Sequence, residues 1–375
     1  MSETTIASYV RAIRPHLKPG VFQPARSRLW WLPAHALAIA LCIVALQQRW
    51  LPWLAAPILS LIIGICFAGT TFVAHETLHG AIVRGHRLRY LVGWLGFLPF
   101  VVSPRLWVAW HNRVHHGNTQ HEGKDPDAYP TLSEYRGSRA IRLATQIAPG
   151  LWRLRGASTP LIGFSVQSIH MLLAARARGY LSAKQHRYAI AETLFGVALW
   201  TGLAQATGGL VFLFAFVLPL LVANAIVMGF ILTNHSLSPL TALNDPLLNS
   251  LSVTTPRLVE WLTLGFGYHV EHHLFPAMST RHAPEVRALL RAHYPGRYQS
   301  MPLLHATIAL HSSPRVYKNQ TTLVDPTSGR EWPALRAEGG AERLDPATAA
   351  QLTQLVTSSS PASVGSTEHR STLTL

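Results

Sequence analysis

From residue 193 to residue 244 the chain carries no Asp, Glu, Lys or Arg. A helix needs about 20 apolar residues to cross the hydrocarbon core of a bilayer, so this stretch is long enough for two crossings. A Gly-rich break near 201–209 marks where the chain would turn. Two shorter runs precede it: 29–46, whose one titratable group is His35, and 51–74, which is free of charge throughout. Each has the length of one spanning helix. The expected class is therefore all-α integral membrane, with four transmembrane helices at about 29–48, 51–74, 188–206 and 210–233. The links at 47–50 and at Gly208-Gly209 have room only for tight turns, which gives two hairpins.

Basic residues set the expected orientation. The first link holds only Arg49 and the second holds none. The arm before residue 29 carries Arg11, Arg14, Lys18, Arg26 and Arg28, and the middle of the chain is rich in arginine. By the positive-inside rule both termini and the middle segment are cytoplasmic. The organisation expected is a cytoplasmic N-terminal arm (1–28), a membrane domain (29–317) and a disordered tail (318–375) of Thr, Ser, Ala, Pro and Gly. No cleavable signal peptide is expected, because the first apolar run leads straight into the second. Cys42 and Cys66 both fall within expected spans, so a disulfide framework is not supported. The net charge of +15 suits contact with anionic headgroups or docking of an acidic carrier; nucleic-acid binding is not expected of a chain built around spans. The apolar but Pro-broken segment 91–110 reads as a helix in the interface, and 161–175 is similar. Thr280 is a candidate cap for a helix through His293.

Eight histidines form three short boxes beside these runs. His75 and His79 make an HxxxH, His111, His115 and His116 an HxxxHH, and His269, His272 and His273 an HxxHH. With 20 histidines in 375 residues, HxxxH alone is expected about once by chance, but each three-histidine box only about 0.05 times. Imidazole is the usual protein ligand for iron, copper, zinc and nickel. The orientation above places all three boxes on one face, as one shared site requires. On an α-helix His75 stacks on His79, His111 on His115 and His269 on His273, while His116 and His272 turn aside by about 100°. Eight ligands exceed the needs of one ion and suit two. Asn234 and His235 end the last run; a polar pair there needs a partner, which makes His235 a candidate ninth ligand and Asn234 a weak or water-mediated one. Glu76, Glu271, Asp125 and Asp127 are candidate acceptors for imidazole N–H groups; Glu76 and Glu271 could instead bridge metals, and Asp125 and Asp127 equally suit a solvated Asp-Pro turn.

The three boxes on two membrane hairpins, with Gly80 after the first, Asp125-Pro126-Asp127 after the second, and Tyr268 and Pro276 flanking the third, resemble the membrane fatty acid desaturase and hydroxylase superfamily over roughly residues 30–300. The resemblance implies a cytoplasm-facing di-iron centre and O2-dependent removal of two hydrogens from an acyl chain. It carries the role of iron ligand onto His75, His79, His111, His115, His116, His269, His272 and His273, and matches His235 to an extra ligand after the last span. It implies a fatty acyl lipid or acyl thioester as substrate and the bacterial inner membrane as location. No haem-binding His-Pro-Gly-Gly stretch occurs and the third box opens with His269 rather than Gln, so electrons are expected from a separate carrier such as ferredoxin. Three alternatives stay open. A hydroxylase of acyl lipids or carotenoids would use the same boxes. His75, Glu76 and His79 also satisfy HExxH, the zinc-protease motif in which Glu is general base, with Asp245 as third ligand. A metal transporter would need ligands near the midplane, where these boxes do not fall.

Overall fold

The structure is a computed structural model that describes residues 6–335. Among these, four helices are long and apolar enough to cross a bilayer: Arg26–Gln47, Trp53–Leu78, Ala183–Thr207 and Gly209–His235. The second and fourth outrun their uncharged cores, so that His75 lies in the last turn of one and His235 ends the other. The second span is the central element, with 67% of its apolar window buried against 17%, 11% and 28% for the other three. It packs on the first and fourth spans and on the helix His86–Gly96. Close approach explains why: a Cβ at Gly64 would stand 2.5 Å from Val222 Cβ, and one at Gly96 2.5 Å from the Thr70 carbonyl. Small residues let apolar helices touch backbone to backbone where no hydrophobic force drives them together.

The segments expected to lie in the interface are helical in pieces. His86–Gly96 is followed by a short turn at Leu98–Phe100 and then by Pro104–Trp107, which Ser103 caps by accepting from the amides of Arg105 and Leu106. Ser158–Ala174 packs along the fourth span. Cys42 and Cys66 are both buried free thiols.

Two expectations, the tail and the Thr280 cap, need correction. Beyond residue 318 the chain is ordered as far as 335: Tyr317–Asn319, Thr322–Val324 and Glu331–Pro333 form an antiparallel sheet. Leu323 and Trp332 pack with Leu240 in a small core of their own, enough apolar contact to order a segment whose composition reads as tail. The remainder of that expected tail, 336–375, lies outside the described residues. The N-terminal arm is also part of the fold, since Tyr9 and Ile13 of the helix Ile6–Ile13 are buried against Val270 and Leu274. Finally, Thr280 does not cap the helix that begins at Ala283. Its amide donates to Glu76 and its hydroxyl to the Leu264 carbonyl.

Candidate metal centre

Each box is placed by a local backbone device. The second span ends in a Schellman turn: Gly80 takes φ +83°, its amide donates to the Thr77 carbonyl, and the Ala81 amide reaches the Glu76 carbonyl. Only a residue without a Cβ does this cheaply, and the turn leaves His75 and His79 side by side. Box two is not α-helical. Val108–His115 is a π-helix, whose backbone bonds join residues five apart and widen the turn. His111 stacks on His115 with ring centroids 5.0 Å apart and also meets His116, Nε2 to Nε2 at 3.2 Å, while His115 in turn faces His235 of the fourth span. Asn112 in the same π-turn donates to the Leu78 carbonyl and so joins boxes one and two. Box three is a single turn, His269–Leu274. Ser252 caps it from a distant strand, accepting from the amides of His269 and Val270 while its hydroxyl donates to Glu271.

Nine imidazoles converge in two main groups, which a third cluster of His111, His115 and Asp127 bridges. His75, His79, His111 and His272 form one, with His116 Nε2 3.2 Å from both His111 Nε2 and His272 Nε2. His115, His235 and His273 form the other, joined by His269, whose Nε2 lies 2.6 Å from His235 Nε2 and 3.1 Å from His273 Nε2. His235 thus stands with the box histidines, delivered by the end of the fourth span. His121, the nearest remaining histidine in sequence, instead pairs with the Glu122 carbonyl.

The outer nitrogens say which tautomers are present. His115 Nδ1 lies 3.0 Å from Asp125 Oδ1, and His235 Nδ1 lies 3.3 Å from the Asn249 carbonyl. Thr119 spends its hydroxyl proton on the His115 carbonyl, so its oxygen accepts from His273 Nδ1 at 3.2 Å. With protons held on the outer nitrogens of His235 and His273, their Nε2 atoms turn bare lone pairs toward the neighbouring imidazoles. Lone pairs about 3 Å apart repel unless a cation lies between them, and two nitrogens about 2.1 Å from one ion at right angles are separated by about that distance. Burial first, and neighbouring imidazoles second, push His79, His111, His116, His269 and His273 well below the usual imidazole range. They are neutral and able to ligate. Burial also acts downward on His115, but Asp125 and Asp127 bring it up to about 9; this ring therefore carries a second proton, which a metal bound at Nε2 would displace. The His79 Nε2 and His269 Nδ1 atoms are buried with no hydrogen-bond partner among the described residues. A donor set of neutral, converging imidazoles fits a pair of first-row transition ions.

The acidic candidates divide. Asp125 holds His115, and it also accepts from the amides of Gln120 and Asp127. Asp127 is not a solvated turn residue: Oδ1 accepts from Trp110 Nε1 at 3.1 Å and Gln167 Nε2 at 2.6 Å, and Oδ2 is 3.4 Å from His115 Nδ1. Glu76 and Glu271, by contrast, touch no imidazole. One residue past His75, Glu76 is turned about 100° round the helix, where Arg28 Nη1 donates to it at 2.5 Å. Buried Glu271 takes Ser252, Arg287 Nε and Tyr298 Oη. Both acids staple the backbone that carries the boxes. Asn234 is fully buried beside His235, and its amide has no hydrogen-bond partner among the described residues. Asp245 is occupied by Tyr9, the Leu247 amide and Arg297, so the protease alternative has neither its base nor its third ligand in place.

Several supporting residues carry no sequence signal. Gln120 donates to the carbonyls of His235 and Ser238 and to Tyr317 Oη. Tyr317 donates to the Ser238 carbonyl and Arg315 to that of Ser236, so the stretch after 312 clamps the end of the fourth span. Such pairs lie nearly 80 or more residues apart in sequence, and nothing local announces them. Beside the imidazoles runs a narrow cavity walled by Phe72, Trp107, Trp110, Phe164, Val227 and Ile231.

A family model described as fatty acid desaturase matches residues 50–304, about two-thirds of the chain. The chain belongs to the fatty acid desaturase family. The match begins in the first link and covers every box and His235. Membership, with the four apolar helices, identifies a membrane protein of oxidoreductase ancestry whose histidine clusters are compatible with a di-iron site.

Proposed function

We propose that this desaturase-family protein is an O2-dependent fatty acyl desaturase that introduces a double bond into a lipid acyl chain at a histidine-ligated di-iron centre. One observation carries the reading: nine imidazoles from three boxes and the end of a span divide into two groups of bare nitrogens beside an apolar cavity. His75, His79, His111, His116 and His272 would hold one iron, and His115, His235, His269 and His273 the other. Iron bound there would supply reduction of O2 and hydrogen abstraction from an unactivated C–H bond. The chain's own residues do the rest. Asp125 fixes the His115 ring, while Thr119 and the Asn249 carbonyl fix His273 and His235. Trp107 and Phe266, whose ring centroids lie 5.2 and 4.9 Å from that of His75, set apolar surface against the imidazoles. The Trp110 and Gln167 donors hold Asp127 at the edge of the same cavity. The substrate would be a fatty acyl lipid or thioester, the electron source a separate carrier such as ferredoxin, and the location an inner membrane with boxes and termini cytoplasmic.

The reading is tested by gas chromatography–mass spectrometry of fatty acids from a bacterial host expressing wild type or the His272→Ala/His273→Ala variant. New unsaturated species with wild type alone are expected. New hydroxy acids instead would move the reaction to hydroxylation. No new product from an iron-loaded protein supplied with a reductase chain would sink the acyl reading.

A further inference from the structure

On the far side of the second and fourth spans from the narrow cavity lies a second, wider hollow. Gly69 and Phe72 of the second span, Gly229 and Thr233 of the fourth, Val259 and Leu310 are among its walls, and its surface is almost wholly apolar. Its volume of about 460 Å³ is that of a ligand pocket, whereas the cavity beside the imidazoles holds about 30 Å³. A ligand site needs about 300–1,000 Å³ and a single water about 10–15 Å³. The narrow cavity as it stands can take O2 or water; an acyl chain it cannot take.

Phe72 is a wall of both spaces. Its ring centroid lies 4.7 Å from Phe266 and 5.9 Å from Phe230, and those two are 5.8 Å apart. Phe266 in turn lies 4.9 Å from His75 and 5.6 Å from His269. One layer of three phenyl rings therefore separates the hollow from the imidazoles. The outer wall consists of two short helices, Arg257–Leu262 and Leu303–Ser312. Each also turns bulky apolar side chains outward: Leu258 is 66% exposed, Trp261 60% and Leu304 66%. Exposed Leu and Trp beside spanning helices belong in the lipid interface, so the hollow opens toward the bilayer.

We infer that this hollow is a lateral binding groove for one acyl chain of a bilayer phospholipid, and that the Phe72, Phe230 and Phe266 rings are the partition such a chain passes to reach the imidazoles. The inference rests on the acyl-desaturase reading for its second half and on the groove alone for its first. Gly229 provides the test, because a Cβ added there meets no atom within 4 Å. Gly229→Phe starts from that open position and puts a ring into the groove, and replacing a mid-helix glycine does not weaken the helix.

The full-length, iron-loaded protein is placed in vesicles of phosphatidylcholine and phosphatidylglycerol that contain a phosphatidylcholine with a diazirine in its acyl chain. After irradiation the labelled peptides are mapped, and unsaturated products are measured in parallel. Wild type is expected to label at 225–233 and 303–311. Gly229→Phe should lose that label about tenfold or more, since every methylene kept out forfeits its transfer energy, and should lose product while keeping its iron. Thr307→Leu narrows the groove from the opposite wall, so its label should fall too even if Gly229→Phe folds poorly. No label in these segments of wild type, or cross-links to a second copy of the chain, would overturn the inference. Label lost with product unchanged would mean a lodged lipid and overturn the path past Phe72. Groove label in a wild type that makes no unsaturated product would uphold the binding site and reject the desaturase reading.

Discussion

At the scale of single residues, the site depends on what lies behind the imidazoles as much as on the imidazoles. Asp125 is 7% exposed and orients His115; removing such a partner usually costs about 10–100-fold in metal affinity. Asp125→Asn is therefore expected to lower iron retention by that factor when the protein is dialysed against a graded chelator, and unchanged retention would show that Asp125 does not orient a ligand. The division into two groups makes a different prediction for His235. It belongs with His115, His269 and His273, so His235→Ala should lose about half of the bound iron rather than all of it, as loss of one donor weakens one ion. Iron per chain by inductively coupled plasma mass spectrometry decides this, and complete loss would mean that the two groups act as one. Glu76 gives the opposite expectation. Its carboxylate serves Arg28 and Thr280, so Glu76→Gln should keep iron and turnover while lowering stability by about 1–3 kcal/mol. Loss of turnover in a protein with normal iron and unfolding temperature would return the general-base role to Glu76.

At the scale of elements, the box histidines and the spans were legible because their signals are local: composition over 20 residues, and histidines three to five apart. The π-helix was not. Its consequence is that His111 meets His116 as well as the His115 on which it stacks, a second contact that an α-helical reading turns aside. No residue type in 108–115 forces the wider turn; tertiary contact of Asn112 with the end of the second span accompanies it. The roles of Glu76 and Glu271 were misread for a related reason, since position within a box says nothing of which side of the turn faces the metal. The segment after 312 was missed because its worth lies in contacts far away in sequence. Tyr317 is fully buried, donates to the Ser238 carbonyl and accepts from Gln120. Tyr317→Phe removes two buried hydrogen bonds while Gln120 still holds the Ser238 carbonyl, which costs about 0.5–1.5 kcal/mol for each bond lost. A lower thermal unfolding midpoint in detergent is expected, with earlier loss of iron on heating. An unchanged midpoint would mean that the last turn of the fourth span does not rely on this clamp.

At the scale of the whole molecule, one helix organises everything: the buried second span touches both of its membrane neighbours and ends in the first box. Because the imidazoles sit at the ends of the second and fourth spans, whichever side receives those ends also receives the second box, the third box and the exposed loop around Lys124. The first link, at Gln48, lies at the other end of the second span. The arginine distribution supports our proposal that the box side is cytoplasmic, where a soluble electron carrier would reach it. Cys42 and Cys66 are buried inside spans, so a cysteine added at an exposed site reports alone. In intact cells treated with a membrane-impermeant maleimide, Gln48→Cys should label from outside and Lys124→Cys only after permeabilisation. The reverse pattern would place the metal site outside and remove cytoplasmic ferredoxin as a donor. Labelling of both from outside would mean that the second span does not cross, and the reading of 51–74 as a transmembrane helix would fall with it.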